Sequence, residues 1–174
     1  MKRDLIDDVL FREAQDDDAE AIIALVAAAY AEYPGCILDV DGELPELRAP
    51  ASSHRALGGN FWVAERREKV VGCIGWNPVE DGTVELLKLY VDPEARGGGL
   101  GRRLVGIVCA EARKGGAARV ELWTDTRFQS AHRLYELLGF QRDPGTRQLD
   151  DLSRSVEYHY VKALRSSDSV APNL

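Results

Sequence analysis

The chain has 174 residues, the length of one domain that buries roughly 70% of its unfolded surface without needing disulfide staples. It is 45% hydrophobic and 29% charged, as an ordinary globular protein is, and its net charge of −7 argues against broad nucleic-acid binding, which needs a basic surface. Its three cysteines, Cys36, Cys73 and Cys109, are odd in number and lack CxxC spacing. A disulfide framework and a metal site are therefore not expected, and a reducing cytoplasm is.

Met1-Lys2-Arg3-Asp4 leads into alternating charge, so no signal peptide is expected. Residues 1–9 read as an N-terminal lead. Leu10 to Ala14 reads as a brief strand. Gln15-Asp16-Asp17-Asp18 marks a helix start, because acids there cap free amides and suit the positive helix end. From Ala19 to about Tyr33, Ile22, Leu25, Val26, Ala29 and Tyr30 recur at helical spacing, and Pro34-Gly35 stops the helix. The apolar run from Ala21 to Ala31 is too short for a membrane span, which takes ~20 residues.

Residues 35–60 read as a long loop with at most one short helix, and such a segment is often functional. Phe61 to Glu65 and Val70 to Trp76 read as a strand pair joined by Arg66-Arg67-Glu68-Lys69. After the turn at Asp81-Gly82, a third strand runs from Thr83 to Val91. Pro93 ends it. A helix follows from Leu100 to Lys114, striped by Leu104, Ile107, Val108 and Ala112 and closed by Gly115-Gly116. Arg119 to Thr124 is a strand, Ser130 to Leu138 a helix ended by Gly139, and Ser155 to Leu164 a final strand. The serine-rich segment 165–174 is expected to be disordered. The domain proper is thus 10–164. Strand, helix, loop, three strands, helix, strand, helix, strand describes a mixed α/β protein whose middle strand–helix–strand is a right-handed crossover.

The segment Arg96-Gly97-Gly98-Gly99-Leu100-Gly101 lies between a strand and a helix. The first amides of a helix lack intrahelical partners and sit at the positive end of its dipole. Glycines let a phosphate approach the backbone, and Arg96, Arg102 and Arg103 add positive charge. GxGxxG fails in both possible registers, at Arg102 and at Leu104, and GxxxxGK[ST] is absent. Arg-x-x-Gly-x-Gly does match, at Arg96, Gly99 and Gly101.

With Leu89-Tyr90-Val91-Asp92-Pro93 before it, and with Ala131, Tyr135 and Gly139-Phe140 after it, this pattern resembles the GCN5-related N-acetyltransferase (GNAT) family. The resemblance implies a mixed, largely antiparallel sheet flanked by helices, with a central β-α-β crossover and splayed parallel strands. It implies acetyl-CoA as acyl donor, lying where Thr83 to Val91 and Arg119 to Thr124 part. Leu89, Tyr90 and Val91 would bond its pantetheine arm. Arg96, Gly97, Gly98, Gly99, Leu100, Gly101 and Arg102 would hold its pyrophosphate. The reaction implied is direct transfer to an amine in a ternary complex, with proximity supplying much of the rate and a backbone N–H near Leu89 to Tyr90 stabilising the oxyanion.

Tyr135 matches the family's tyrosine acid, with core packing as its other reading. Glu85 shares a strand face with Leu87, Leu89 and Val91, and is either the base or a paired structural carboxylate. His132 and His54 are weaker titratable candidates. Where the family often has an asparagine stands Phe128, so Ser130, Thr124 or a water takes that polar contact. The acceptor is a small-molecule or peptide amine; Asp39, Asp41, Glu43 and Glu46 are candidates to attract it, and Tyr30, Tyr33, Trp76 and Trp123 to wall it. No nucleic acid or membrane partner is expected, and the resemblance leaves a homodimer open. The alternative to an enzyme is a non-catalytic acyl-CoA-binding sensor.

Overall fold

Strand alternation, with the largely apolar helix Ala19–Ala31 on one side and the amphipathic helix Leu100–Lys114 on the other, explains how the sheet is covered. The computed structural model describes residues 8–80 and 82–164. The expected disordered segment 165–174, most of the expected lead and Asp81 lie outside the described residues. The strands are β1 Leu10–Glu13, β2 Asn60–Arg66, β3 Lys69–Pro78, β4 Thr83–Val91, β5 Arg119–Asp125, β6 Gln141–Gln148 and β7 Val156–Ala163. They form one sheet in the order β1-β2-β3-β4-β5-β7-β6. Every neighbouring pair is antiparallel except β4 and β5, which are parallel, as a crossover requires.

The helices are α1 Ala19–Ala31, α2 Val40–Glu43, α3 Pro50–Ala56, α4 Leu100–Lys114 and α5 Gln129–Leu137. On β2, Phe61 and Val63 pack with Ile22 and Val26 of α1, while Trp62 and Ala64 turn to the other side. There Leu104, Val105 and Val108 of α4 cover Leu86, Val120 and Leu122. The 3-10 turn Asp16–Asp18 that leads into α1 is held by Gln15 N, which donates to Asp18 Oδ2 at 2.8 Å, and Arg12 binds both Asp18 and Glu65, each at 2.8 Å.

Two expectations are corrected. Residues 35–60 are not a loop with at most one helix: they hold α2, a 3-10 turn at Pro45–Arg48 and α3. Each is too short for a helical period to show. Asp39 Oδ1 accepts from Gly42 N at 2.9 Å, and Pro45 and Pro50 occupy first-turn positions, where a missing N–H is harmless. The order also lacked β6. All eight of its residues are exposed, so no alternation marks it. Its register with β7 breaks between Arg142 and Thr146, and Pro144 and Gly145 (φ 94°) fall in that break.

Candidate active site

The parallel pair β4 and β5 stays in register only at Thr83–Arg119, Val84–Val120 and Glu85–Glu121. Beyond these residues both strands continue without pairing to one another, which leaves main-chain groups of β4 facing a gap. A bulge sharpens the divergence. On β3, Cys73 pairs with Tyr90 and Gly75 with Leu87, so β4 carries one extra residue, and Lys88 takes a left-handed φ of 53° there. Cys73 Sγ donates to Lys88 O at 3.3 Å and fixes the bulge from behind.

After Asp92, whose carboxylate caps the turn at Glu94 N (3.0 Å), the chain reaches the glycine segment. Gly97 and Gly99 are left-handed, with φ of 83° and 86°, and a Cβ on Gly97 would meet nothing within 4 Å. Gly99 caps α4. The first helical bond runs from Arg103 N to Gly99 O (3.0 Å), so the amides of Leu100, Gly101 and Arg102 have no intrahelical acceptor. Gly101 serves packing: a Cβ there would lie 2.9 Å from Leu134 Cδ2 on α5.

A cleft of about 440 Å³ runs from this turn along Leu89 to Val91, the end of β4 that β5 leaves unpaired. Of the expected donor-binding residues it is lined by Leu89, Tyr90, Val91, Arg96, Gly97, Gly99, Leu100, Gly101, Arg102 and Ser130; Gly98 is not at its wall. Arg96 has a second task. Its Nε donates to Val91 O at 3.0 Å, and its two terminal nitrogens donate to the Glu32 carboxylate at 2.8 and 2.6 Å. This forked pair ties the turn to the end of β4 and to the residue that ends α1. Glu32 was invisible from the sequence, because its partner is 64 positions away.

A second cleft, of about 280 Å³, meets the first at Leu89, Tyr90, Phe128 and Ala131. Tyr135 and Glu85 both line it. Tyr135 is 5% exposed, and burial pushes its phenol far above the ordinary range, so it stays protonated. Burial also raises Glu85. Arg147 opposes that shift, while the charges of Glu121 and Glu157 add to it. Phe128 packs on Tyr33 and Tyr30, with centroids 4.8 and 6.2 Å apart, and so builds an apolar wall where a polar contact was sought. Thr124 lines the second cleft and Ser130 the first.

The remaining candidates separate. His132 is buried, with Nε2 2.9 Å from Asp125 O, and burial lowers its pKa. His54 is a buried residue of α3, with Nδ1 2.9 Å from Asn77 Oδ1, and is likewise lowered by burial. Neither lines the first or the second cleft. Glu43, Tyr30 and Trp123 line the second cleft, and Tyr33 the first. Asp41 pairs with Arg48 and Glu46 with Lys88, while Asp39 caps α2. Trp76 lies on the other side of the sheet, where its indole and that of Trp62 donate to Glu111 of α4. Arg147 and Glu157, paired at 2.6 Å, were missed with the unrecognised strand β6. Among the described residues, no group of three or more His, Cys, Asp or Glu is placed to hold a metal ion, and no helix is long and apolar enough to cross a membrane.

Comparison with known proteins places this geometry. The acetyltransferase (GNAT) family profile matches residues 19–140. N-acetyltransferase 8B of Homo sapiens is 41% identical over 109 residues, covering 60% of this chain and 48% of that protein. Mycothiol acetyltransferase of Thermobispora bispora is 36% identical over 132 residues, covering 72% and 43%. The chain thus spans about half the length, or less, of these curated relatives. An acetyltransferase of the GNAT family from Staphylococcus aureus Mu50 superposes with a TM-score of 0.77 at 22% identity, over 90% of this chain and 99% of that one. YncA of Salmonella typhimurium, solved with its cofactor acetyl-CoA, superposes at 0.69 and 23% identity, over 96% and 99%. At these identities the structural likeness establishes the fold.

Proposed function

The chain belongs to the acetyltransferase (GNAT) family, and from that premise we propose that its 10–164 domain transfers an acetyl group from acetyl-CoA to an amine. The observation that carries this reading is one continuous path. The left-handed glycine turn opens into a cleft along the end of β4 that β5 leaves unpaired, and this cleft meets a second one holding a protonated tyrosine and a carboxylate.

The residues present fit the donor. Free amides at the start of α4 and open space at Gly97 suit a pyrophosphate. The unpaired edge of β4 from Leu89 to Val91 suits the amide-bearing arm, which would bond it as an added strand does. Leu100, Leu134 and Leu137 supply apolar wall. Ser130 offers a polar contact in the absence of the usual asparagine. Acetyl-CoA supplies an activated thioester when bound. Glu85 takes the proton of the attacking amine, directly or through water. Amides near Leu89 and Tyr90 stabilise negative charge at the carbonyl oxygen, and Tyr135 donates its proton toward the departing sulfur. Retention of Tyr135 at the junction favours catalysis over a purely sensing module. Three cysteines without disulfides support a cytoplasmic setting.

Thiol release from acetyl-CoA tests the reading. The expected result is release that depends on an added primary amine and is matched mole for mole by acetylated product. Tight acetyl-CoA binding with no amine-dependent release would favour the sensor instead.

A further inference from the structure

Two segments that line the second cleft, 35–44 after α1, which includes α2, and 149–155 between β6 and β7, are joined to one another. Ile37 N donates to Ser153 Oγ at 2.8 Å, Ser153 Oγ donates back to Ile37 O at 3.2 Å, and Leu152 N donates to Glu43 Oε1 at 2.6 Å. The joined residues are more than 100 positions apart, so this is a tertiary bridge between otherwise separate walls. An extended peptide needs an open trough or a free strand edge. Here the two segments that would flank a trough are bonded together. The space left, about 280 Å³, is at the small end of pockets that hold small molecules.

The lining is also unbalanced in charge. Glu43, Glu85, Asp125, Asp151 and Glu157 face it, against Lys88 and Arg147. Both cations are already engaged, Lys88 by Glu46 at 3.1 Å and Arg147 by Glu157 at 2.6 Å, and Asp125 is held by Arg127 at 2.6 Å. Glu43 and Asp151 accept backbone amides, from Leu152 and from Ser155, and neither has a cationic partner in an ion pair among the described residues. Glu85 is half-buried: burial raises its pKa, the charges of Glu121 and Glu157 add to that shift, and those of Arg147 and Lys88 oppose it.

Resting on the acetyl-transfer reading, we propose that the acceptor is a small amine carrying a second positive charge, enclosed beneath the Ile37–Ser153 bridge, and not a peptide or protein amine. The carboxylates concentrate such a cation and hold its far end, while one amine loses its proton to Glu85 and meets the thioester.

The test measures kcat/KM by thiol release at saturating acetyl-CoA. The acceptors are a linear aliphatic diamine, a neutral amino alcohol of equal length and a pentapeptide with a free N-terminus. The diamine should exceed both others by at least about tenfold. Its advantage over the amino alcohol should shrink as salt is raised. Ser153→Ala combined with Glu43→Gln, checked for folding by thermal melting, should narrow the diamine-to-peptide ratio by about threefold or more, as the bridge loosens. Equal or better turnover of the peptide or the amino alcohol overturns the inference, as does acetyl-CoA binding without turnover of the diamine. An unchanged ratio in the folded double variant overturns the role of the bridge. Failure to bind acetyl-CoA in calorimetry would instead remove the reading on which the inference rests.

Discussion

In the proposed reaction Glu85 and Tyr135 divide the proton chemistry, because burial acts on both in the same direction with opposite uses. A raised carboxylate is a better base near neutrality, and a raised phenol is a reliable proton donor. The proposed reaction requires Glu85 ionised. With a weakly basic acceptor amine that stays neutral over the range, kcat/KM should therefore fall as pH drops through an inflection above the ordinary glutamate value of 4.5. Glu85→Gln should lose that inflection and roughly 10²-fold in rate; an unchanged pH–rate profile would return Glu85 to a structural role. Tyr135→Phe should lower kcat by about tenfold and leave acetyl-CoA affinity alone, because a thiolate already leaves well. Both residues could be singled out by position, Glu85 on the strand before the glycine turn and Tyr135 before Gly139-Phe140. What their neighbours do to them could not, since Glu121, Glu157 and Arg147 reach Glu85 from three other strands.

Among the elements, the junction of β4, the glycine turn and α4 was the most legible, because local rules settle it. Pro93 ends the strand, positive-φ glycines make the turn, and α4 runs from Leu100 to Lys114 as its apolar stripe predicts. The clasp that steadies this junction was not legible, since Arg96 reaches back to α1 to find Glu32. Nor was β6, whose exposed residues and central Pro144 carry no strand signal. That omission also hid Arg147 and the bridge at Ser153. Glu32→Ala should free Arg96 and loosen the turn. We expect KM for acetyl-CoA to rise about fivefold with kcat nearly unchanged, the equivalent of ~1 kcal/mol for a pair that is one-third exposed. An unaltered KM would show that the turn holds its shape without the clasp.

At the scale of the molecule, the sheet separates stability from function. One side is packed by α1 and α3 over β1 to β3, the other by α4 and α5, and the clefts open where β4 and β5 part. His54 belongs to the packed region: its ring stands against Phe61, with centroids 4.9 Å apart, and Gly75 is needed because a Cβ there would lie 2.8 Å from His54 Cε1. Burial holds its pKa below the ordinary 6.5, so the unfolded chain takes up a proton first as pH falls. Its contribution to stability is present above pH 6.5 and is lost progressively on acidification toward the lower folded value. The urea midpoint should therefore drop between pH 7.5 and pH 5.5, and His54→Gln should flatten that drop whatever its effect at neutral pH.

If the left-handed turn from Arg96 to Gly101 holds the donor's pyrophosphate, isothermal titration of acetyl-CoA into the protein and into Gly99→Glu will register it. The substitution forces a side chain onto a φ of 86° and sets a carboxylate beside the free amides of α4. Acetyl-CoA should bind in preference to NAD and ATP, and its affinity should fall by at least about 10²-fold in a Gly99→Glu protein that retains its thermal transition. Undiminished affinity in that folded variant, or preference for either nucleotide, would contradict it.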